Sequence, residues 1–132
     1  MLVVDASAVV EFSLGRRAGE SVIRHGNELH APHLVDIEVL STLRRLAVTG
    51  VTSPARASMA VTDFLELALK RYPHALLGPR IWELRHNFSA YDATYVALAE
   101  ALSDDGVPLL TADARFARAA RKHTDVEVLL AA

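Results

Sequence analysis

The chain has 132 residues, a formal charge of −2 and 52% hydrophobic residues, which predicts one domain spanning residues 1–132. A domain of this size buries about 68% of its unfolded surface and needs no metal or disulfide to fold. The lack of cysteine excludes disulfides, zinc–thiolate sites and cysteine nucleophiles. No apolar run approaches the roughly 18 residues of a membrane span, so we expect a soluble, cytoplasmic protein.

Strands and helices are predicted to alternate along the chain. Short apolar runs predict strands at residues 2–4, 28–31, 107–111 and 126–130. Helical spacing, with serine caps and terminal glycines, predicts helices at residues 8–14, 39–49, 54–72, 78–86, 90–105 and 113–123. This alternation predicts an α/β fold with a central parallel sheet and helices on both faces.

Several common catalytic motifs are missing. The six glycines form neither G-x-G-x-x-G nor G-x-x-x-x-G-K-[ST], which excludes the usual dinucleotide and P-loop sites. G-x-S-x-G and H-E-x-x-H are absent too, so serine hydrolase and zinc peptidase chemistry have no support. His30 and His33 flank Pro32, and we interpret them as turn or surface residues.

The carboxylates are the most informative polar residues. Asp5 follows the first strand and Asp113 follows the strand at 107–111. Because parallel strands end at one rim of the sheet, these two are predicted to lie close together. Asp92 stands in the first turn of its helix and Glu38 about one turn into another, so both can join them if their helices begin at that rim.

Each acid also has a structural interpretation. Asp92 follows a serine cap by three residues, Asp113 can cap its own helix, and Glu38 fits a solvated helix position equally well. Asp5 is different, because Ser7 is the better predicted cap and the apolar flanks leave few polar partners. For Asp5 we therefore favour the functional over the structural interpretation.

Carboxylates gathered at one rim raise one another's pKa unless a divalent cation neutralises them. Ligand sets made only of oxygen select Mg²⁺ or Mn²⁺. Such ions activate water for attack on a phosphodiester. The acids therefore indicate nuclease chemistry.

Four segments together resemble one known family: VVDASAVVEF, IEVLSTLRRL, SAYDATYVALAEAL and LLTADARFARAA. They are similar to the PIN-domain ribonucleases, in particular the VapC-type toxins of bacterial type II toxin–antitoxin systems. The resemblance implies a PIN-like three-layer α/β fold and a Mg²⁺- or Mn²⁺-dependent endoribonuclease acting as a toxin.

The resemblance also implies the site. The family's catalytic and metal-binding acids fall on Asp5, Glu38, Asp92 and Asp113. Ser7 stands where the family often has a hydroxyl near the metal. The register of the second acid has one alternative, since Asp36 lies two residues before Glu38.

Partners are implied as well: an RNA substrate, a second copy of the chain in a homodimer, and a small VapB-like antitoxin. The antitoxin would lay its C-terminal segment over the groove and place a basic side chain among the carboxylates. Without the four acids, 14 bases face 12 remaining acids, a mildly basic balance that suits RNA. Arg115, Arg118 and Lys122 share one helical face and are candidate phosphate contacts, although a solvated basic helix end explains them equally well.

One alternative function stays open. The chain could be a non-catalytic α/β module that binds a partner and uses its acids only as caps or to grip a basic peptide. A phosphatase of the haloacid dehalogenase type is disfavoured, because the sequence after Asp5 lacks the second aspartate of D-x-D.

Overall fold

A five-stranded parallel sheet forms the centre of the computed structural model, which describes residues 1–16 and 28–131. Its strands are β1 (Leu2–Val4), β2 (Leu29–Pro32), β3 (Leu69–Tyr72), β4 (Leu109–Thr111) and β5 (Val128–Leu130). They lie in the order β3-β2-β1-β4-β5, with every neighbouring pair parallel. The carboxyl end of β1 therefore lies between those of β2 and β4.

Helices surround this sheet. Those in the described part of the chain are α1 (Ala6–Ser13), α2 (Leu34–Val48), α3 (Pro54–Glu66), α4 (Gly78–Glu83), α5 (Ala90–Ala101) and α6 (Ala114–His123). α1, α2 and α3 pack against one another, whereas α5 lies against β1 and β2, and α6 against β4 and β5. The predicted α/β fold class is confirmed. None of the described helices is long and apolar enough to cross a membrane.

The core lies on both sides of the central strands. Val3, Ala31 and Leu109 are fully buried, as expected for a parallel sheet covered on both faces. The sequence predicts one apolar stripe on α5, but every residue from Ala93 to Ala99 is buried. This helix is buried all round in its middle because the sheet and α4 both pack against it.

Local signals placed most helix ends correctly. The predicted caps Ser53 and Ser89 accept hydrogen bonds from the backbone N–H groups of Arg56 and Asp92, each at 3.1 Å. The helix predicted at 90–105 is too long, because α5 ends at Ala101 with Leu102 as its C-cap. Gly106, which was predicted to end this helix, lies beyond it with a φ of +75°, a conformation that favours glycine. Capping depends on neighbours in sequence, so the sequence alone predicts the two serine caps.

Strand β3 is the main element that the sequence prediction missed. The predicted helix at 54–72 ends at Glu66, and the next residues form β3 at the edge of the sheet. Lys70 and Arg71 make this strand polar, and its residues are partly exposed. An edge strand needs less apolar surface than a central one, so its hydrophobic pattern is weak.

His30 was wrongly interpreted as a turn or surface residue, since it lies in β2 with 1% of its surface exposed. Its Nδ1 atom is 2.6 Å from the Tyr72 hydroxyl, and its Nε2 atom has no hydrogen-bond partner. Burial lowers the His30 pKa, the Glu28 carboxylate opposes this shift, and Lys70 and the amino terminus add to it. Burial therefore favours the neutral form of this core histidine.

This burial predicts an acid-dependent loss of stability. The unfolded chain binds a proton at His30 more readily than the folded chain does, so stability should fall as pH drops below about 6.5. We expect the free energy of unfolding of His30→Gln to fall less than that of wild type between pH 7.5 and 5.5, by up to about 1.4 kcal/mol per pH unit. Urea denaturation at the two pH values measures this difference.

The exposed histidine His74 supplies the control. His74→Gln should keep the wild-type change in stability between the two pH values. An identical pH response in wild type and His30→Gln would contradict the neutral buried state.

Candidate active site

Asp5 lies directly after β1, where the ladder with β4 holds it in place. Its backbone N–H donates to the carbonyl of Leu110 at 3.1 Å, and its side chain is 6% exposed. Oδ1 accepts hydrogen bonds from the Ser7 hydroxyl at 2.6 Å and from the Ala8 N–H at 3.0 Å. Oδ2 accepts from the Thr111 hydroxyl at 2.5 Å. The buried carboxylate thus receives donors from α1 and β4.

The expected division of roles between Asp5 and Ser7 is wrong. Asp5 is the N-cap of α1, whereas Ser7 lies inside the first turn, donates to Asp5 and accepts from the Ala112 N–H at 2.9 Å. A carboxylate caps a helix better than a hydroxyl when it also meets the positive end of the helix dipole. Capping therefore explains part of the burial of this charge.

Capping does not compensate the charge completely. Burial raises the pKa of Asp5, the bonds from Ser7, Thr111 and Ala8 lower it, and the charge of Asp113 raises it further. The net direction is upward. The donors around Asp5 therefore compensate its negative charge only in part.

Thr111 is a site residue that the sequence analysis missed. It is fully buried at the end of β4, donates to Asp5 and accepts from the Asp113 N–H at 3.0 Å. One hydroxyl therefore joins the carboxylate after β1 to the backbone after β4. The available signal was a threonine at the end of an apolar strand, two residues before Asp113 in the sequence T-A-D.

Asp113 and Asp92 both lie at helix N-termini. Asp113 caps α6 by accepting from the N–H groups of Arg115 at 2.9 Å and Phe116 at 3.2 Å. Asp92 is partly buried in the first turn of α5. Burial, followed by the charges of Asp113, Asp5 and Glu38, raises the pKa of Asp92 to about 6. These four acids are close enough to interact electrostatically.

Glu38 reaches the same region from α2. The buried Tyr95 hydroxyl donates to Glu38 Oε1 at 2.5 Å, and burial together with this bond raises the Tyr95 pKa. Asp36 is engaged elsewhere, because Arg71 Nε lies 2.8 Å from its Oδ1 atom. Of the two alternative acids, Glu38 is the one that joins Asp5 and Asp92.

All four predicted acids and Ser7 line one open groove of about 700 Å³. Within residues 1–16 and 28–131, no three of the acids, histidines or cysteines are gathered so that they could hold a metal ion as they stand. The donor set is nevertheless chemically suited to a hard cation, since it consists of carboxylates and hydroxyls. The raised pKa of Asp92 also reflects mutual repulsion that such a cation would relieve.

The basic residues of the groove differ from those expected. Arg115, Arg118 and Lys122 are exposed on α6, but they are not among the groove-lining residues. Arg16 and Arg45 line the groove instead. Their position depends on the packing of α1 against α2, which a sequence pattern does not reveal.

Comparison with known proteins gives matches over nearly the whole chain. A family model described as the PIN domain matches residues 2–122. Ribonuclease VapC9 of Mycobacterium tuberculosis is 43% identical over 129 residues, which cover 98% of each chain. Ribonuclease VapC12 of the same species is 37% identical over 131 residues, covering 98% of this chain and 99% of its own.

Two solved structures share the fold. The crystal structure of PAE2754 from Pyrobaculum aerophilum superposes with a TM-score of 0.72 at 24% identity, covering 96% of this chain and 81% of its own. Mycobacterium tuberculosis VapC20, described as a Sarcin-Ricin loop cleaving toxin, superposes with a TM-score of 0.61 at 20% identity. That match covers 90% of this chain and 95% of VapC20.

The position of Thr111 predicts a structural cost of removing its hydroxyl. Thr111→Val keeps the side-chain shape but leaves a buried Asp5 oxygen and the Asp113 N–H without a partner. We expect the free energy of unfolding at pH 7 to fall by about 2 kcal/mol, measured by urea denaturation. Thr62→Val, on the exposed face of α3, should change it little, and equal effects of both changes would contradict the assigned role.

The raised pKa of Asp92 predicts that its charge destabilises the cation-free protein. Asp92 ionises more readily in the unfolded chain, so this cost is present at pH 7.5 and disappears below about pH 4. We expect Asp92→Asn to raise the free energy of unfolding at pH 7.5 by on the order of 1 kcal/mol, after discounting for partial exposure and the lost helix-dipole interaction.

Urea denaturation in a chelating buffer at pH 7.5 and 4 measures this effect. Asp104→Asn, at an exposed acid outside the groove, is the matched control and should leave stability unchanged. A less stable Asp92→Asn at pH 7.5 would contradict the electrostatic argument.

Proposed function

This chain belongs to the PIN-domain family and is of the VapC type, and on that premise we propose that it is a Mg²⁺- or Mn²⁺-dependent endoribonuclease. It cleaves RNA phosphodiester bonds as the toxin of a toxin–antitoxin pair. The observation that carries the proposal is the lining of one groove by four carboxylates. Burial, together with the charges of the other three acids, raises the pKa of Asp92 to about 6. The curated relatives that match almost end to end are named ribonucleases.

The proposed ligands for the cation are the carboxylates of Asp5, Glu38, Asp92 and Asp113. A bound divalent cation would supply activation of water and neutralisation of charge at the phosphate. Carboxylate oxygens suit Mg²⁺ and Mn²⁺, which are hard cations.

Hydroxyl groups beside these acids orient them. Ser7 and Thr111 donate to the two oxygens of Asp5, so the carboxylate is held in one direction. Tyr95 donates to one oxygen of Glu38 and anchors it to the buried helix α5. Pre-orientation of acidic groups lowers the cost of arranging them around a reacting phosphate. Ser7 is therefore a supporting residue in this proposal.

The groove is open, which suits a strand of RNA whose bases are splayed out of a loop. The proposal places Arg115, Arg118 and Lys122 outside the groove, where α6 leads away from Asp113. From that exposed face they would contact phosphates flanking the cleavage site.

The toxin role brings two protein partners into the proposal. One is a VapB-like antitoxin whose C-terminal segment covers the groove and brings a basic side chain to the carboxylates. The other is a second copy of the chain, in a homodimer. With RNA as substrate and no membrane partner, the proposed site of action is the cytoplasm.

A non-catalytic partner-binding module is the second candidate. It is favoured by the capping bonds of Asp5 and Asp113, which give both acids a structural role. Binding of Mn²⁺ separates the two functions, because acids that serve only as caps would not bind the ion in a carboxylate-dependent way.

The nuclease proposal predicts that loss of either central acid abolishes activity. We expect Asp5→Asn and Asp92→Asn to lower the rate of RNA cleavage with Mg²⁺ or Mn²⁺ by at least about 100-fold, because both remove a proposed ligand of the cation. Titration with Mn²⁺, followed by electron paramagnetic resonance, should show weaker binding in both variants.

Asp104→Asn is again the control and should retain wild-type cleavage and Mn²⁺ affinity. Equal cleavage by wild type, Asp5→Asn and Asp92→Asn would refute the nuclease assignment. Equal Mn²⁺ affinity in the three proteins would refute the ligand set.

A further inference from the structure

The groove continues beyond the acids along two helices. α1 and α2 each begin after a parallel strand, at the rim where Asp5 lies, and they pack against each other. An arginine that lines the groove lies near the C-terminal end of each helix: Arg16 comes after α1, and Arg45 lies in the last turn of α2. The groove therefore has the four acids at the rim of the sheet, and two arginines together with Glu11 farther along α1 and α2.

One face of α2 carries the polar residues of this wall. Glu38, Ser41, Thr42 and Arg45 all line the groove, and their spacing of three, four and seven residues places them on one side of a helix. Seven residues correspond to about 10 Å along the helix axis. Arg44, by contrast, is exposed but is not among the lining residues.

One strand of duplex DNA carries a phosphate about every 3.4 Å along the axis, so 10 Å of stacked strand corresponds to about three nucleotides. An RNA strand with splayed bases is more extended, so about two or three nucleotides cover the same distance. A guanidinium group binds phosphate through two parallel hydrogen bonds, and neighbouring hydroxyls add donors. Arg16 has part of its charge offset by Glu11, whose Oε1 atom lies 2.7 Å from Arg16 Nη1. Arg45 is therefore the stronger candidate of the two.

We propose that Arg45, beside the hydroxyls of Ser41 and Thr42, binds an RNA backbone phosphate two or three nucleotides from the cleaved bond. The strand then lies along α2, from Glu38 toward the C-terminal end of the helix. This inference rests on the proposed ribonuclease function and adds to it a phosphate subsite and a direction for the substrate.

Charge and continuity favour RNA as the occupant. The acids alone would repel a polyanion, so a strand reaching the carboxylates needs a cationic contact farther along the same groove. Arg45 meets that need inside the groove, whereas the basic residues of α6 lie outside it. An acidic segment of a protein partner is the competing occupant, and the experiment below separates the two.

The test compares adjacent arginines on one helix. In an Asp92→Asn background, which prevents cleavage, binding of a short single-stranded RNA is measured by fluorescence anisotropy over a series of salt concentrations. Arg45→Ala should weaken binding on the order of tenfold at low salt and reduce the slope of log affinity against log salt by about 0.7, the value for one phosphate contact. Arg44→Ala should change neither quantity.

Arg45→Lys refines the assignment. It should preserve the salt slope, because the charge remains, and lose part of the affinity, because the bidentate geometry is gone. Equal behaviour of Arg45→Ala and Arg44→Ala would overturn the subsite while leaving cleavage by wild type intact. Weaker binding of a polyglutamate peptide, with RNA binding unchanged, would overturn it in favour of an acidic segment. Failure of the parent protein to bind RNA would overturn the proposed function as well.

Discussion

The pairing of β1 with β4 is the constraint on which the candidate site depends. These two strands are separated by more than 100 residues in sequence, yet the Asp5 N–H donates to the Leu110 carbonyl and brings Asp5 beside Thr111. The same ladder brings the turn at Asp113 to the rim that Asp5 occupies. Loss of this register would separate the acids as well as the strands.

Helix N-termini reduce the cost of gathering these charges. Asp5 caps α1, Asp113 caps α6, and Asp92 lies in the first turn of α5. The carboxylates of Asp5 and Asp113 accept bonds from backbone N–H groups at the helix start, and all three acids lie near the positive end of a helix dipole. Capping and a role in cation binding are therefore compatible for one residue. The pKa of Asp92 still rises to about 6, so the helices compensate the repulsion only in part.

On helix α2, nearby residues of the same charge make different contacts. Glu38 lines the groove and accepts from Tyr95, whereas Asp36 pairs with Arg71 of β3. Arg45 lines the groove and Arg44 does not. Because a helix turns by 100° per residue, the packing of α2 against α1 and α3 decides which members of each pair meet the groove.

The sequence by itself determined the alternation of strands and helices, the caps at Ser53 and Ser89, and the placing of acids after β1 and β4. These features depend on short-range periodicity and capping, which neighbouring residues carry. The tertiary structure decided the remainder: the edge strand β3, the burial of His30, the bonds from Thr111 and Tyr95, and the lining of the groove by Arg45 and not by the basic face of α6. Each of these depends on contacts between segments far apart in the chain, and no local pattern encodes which surfaces will meet.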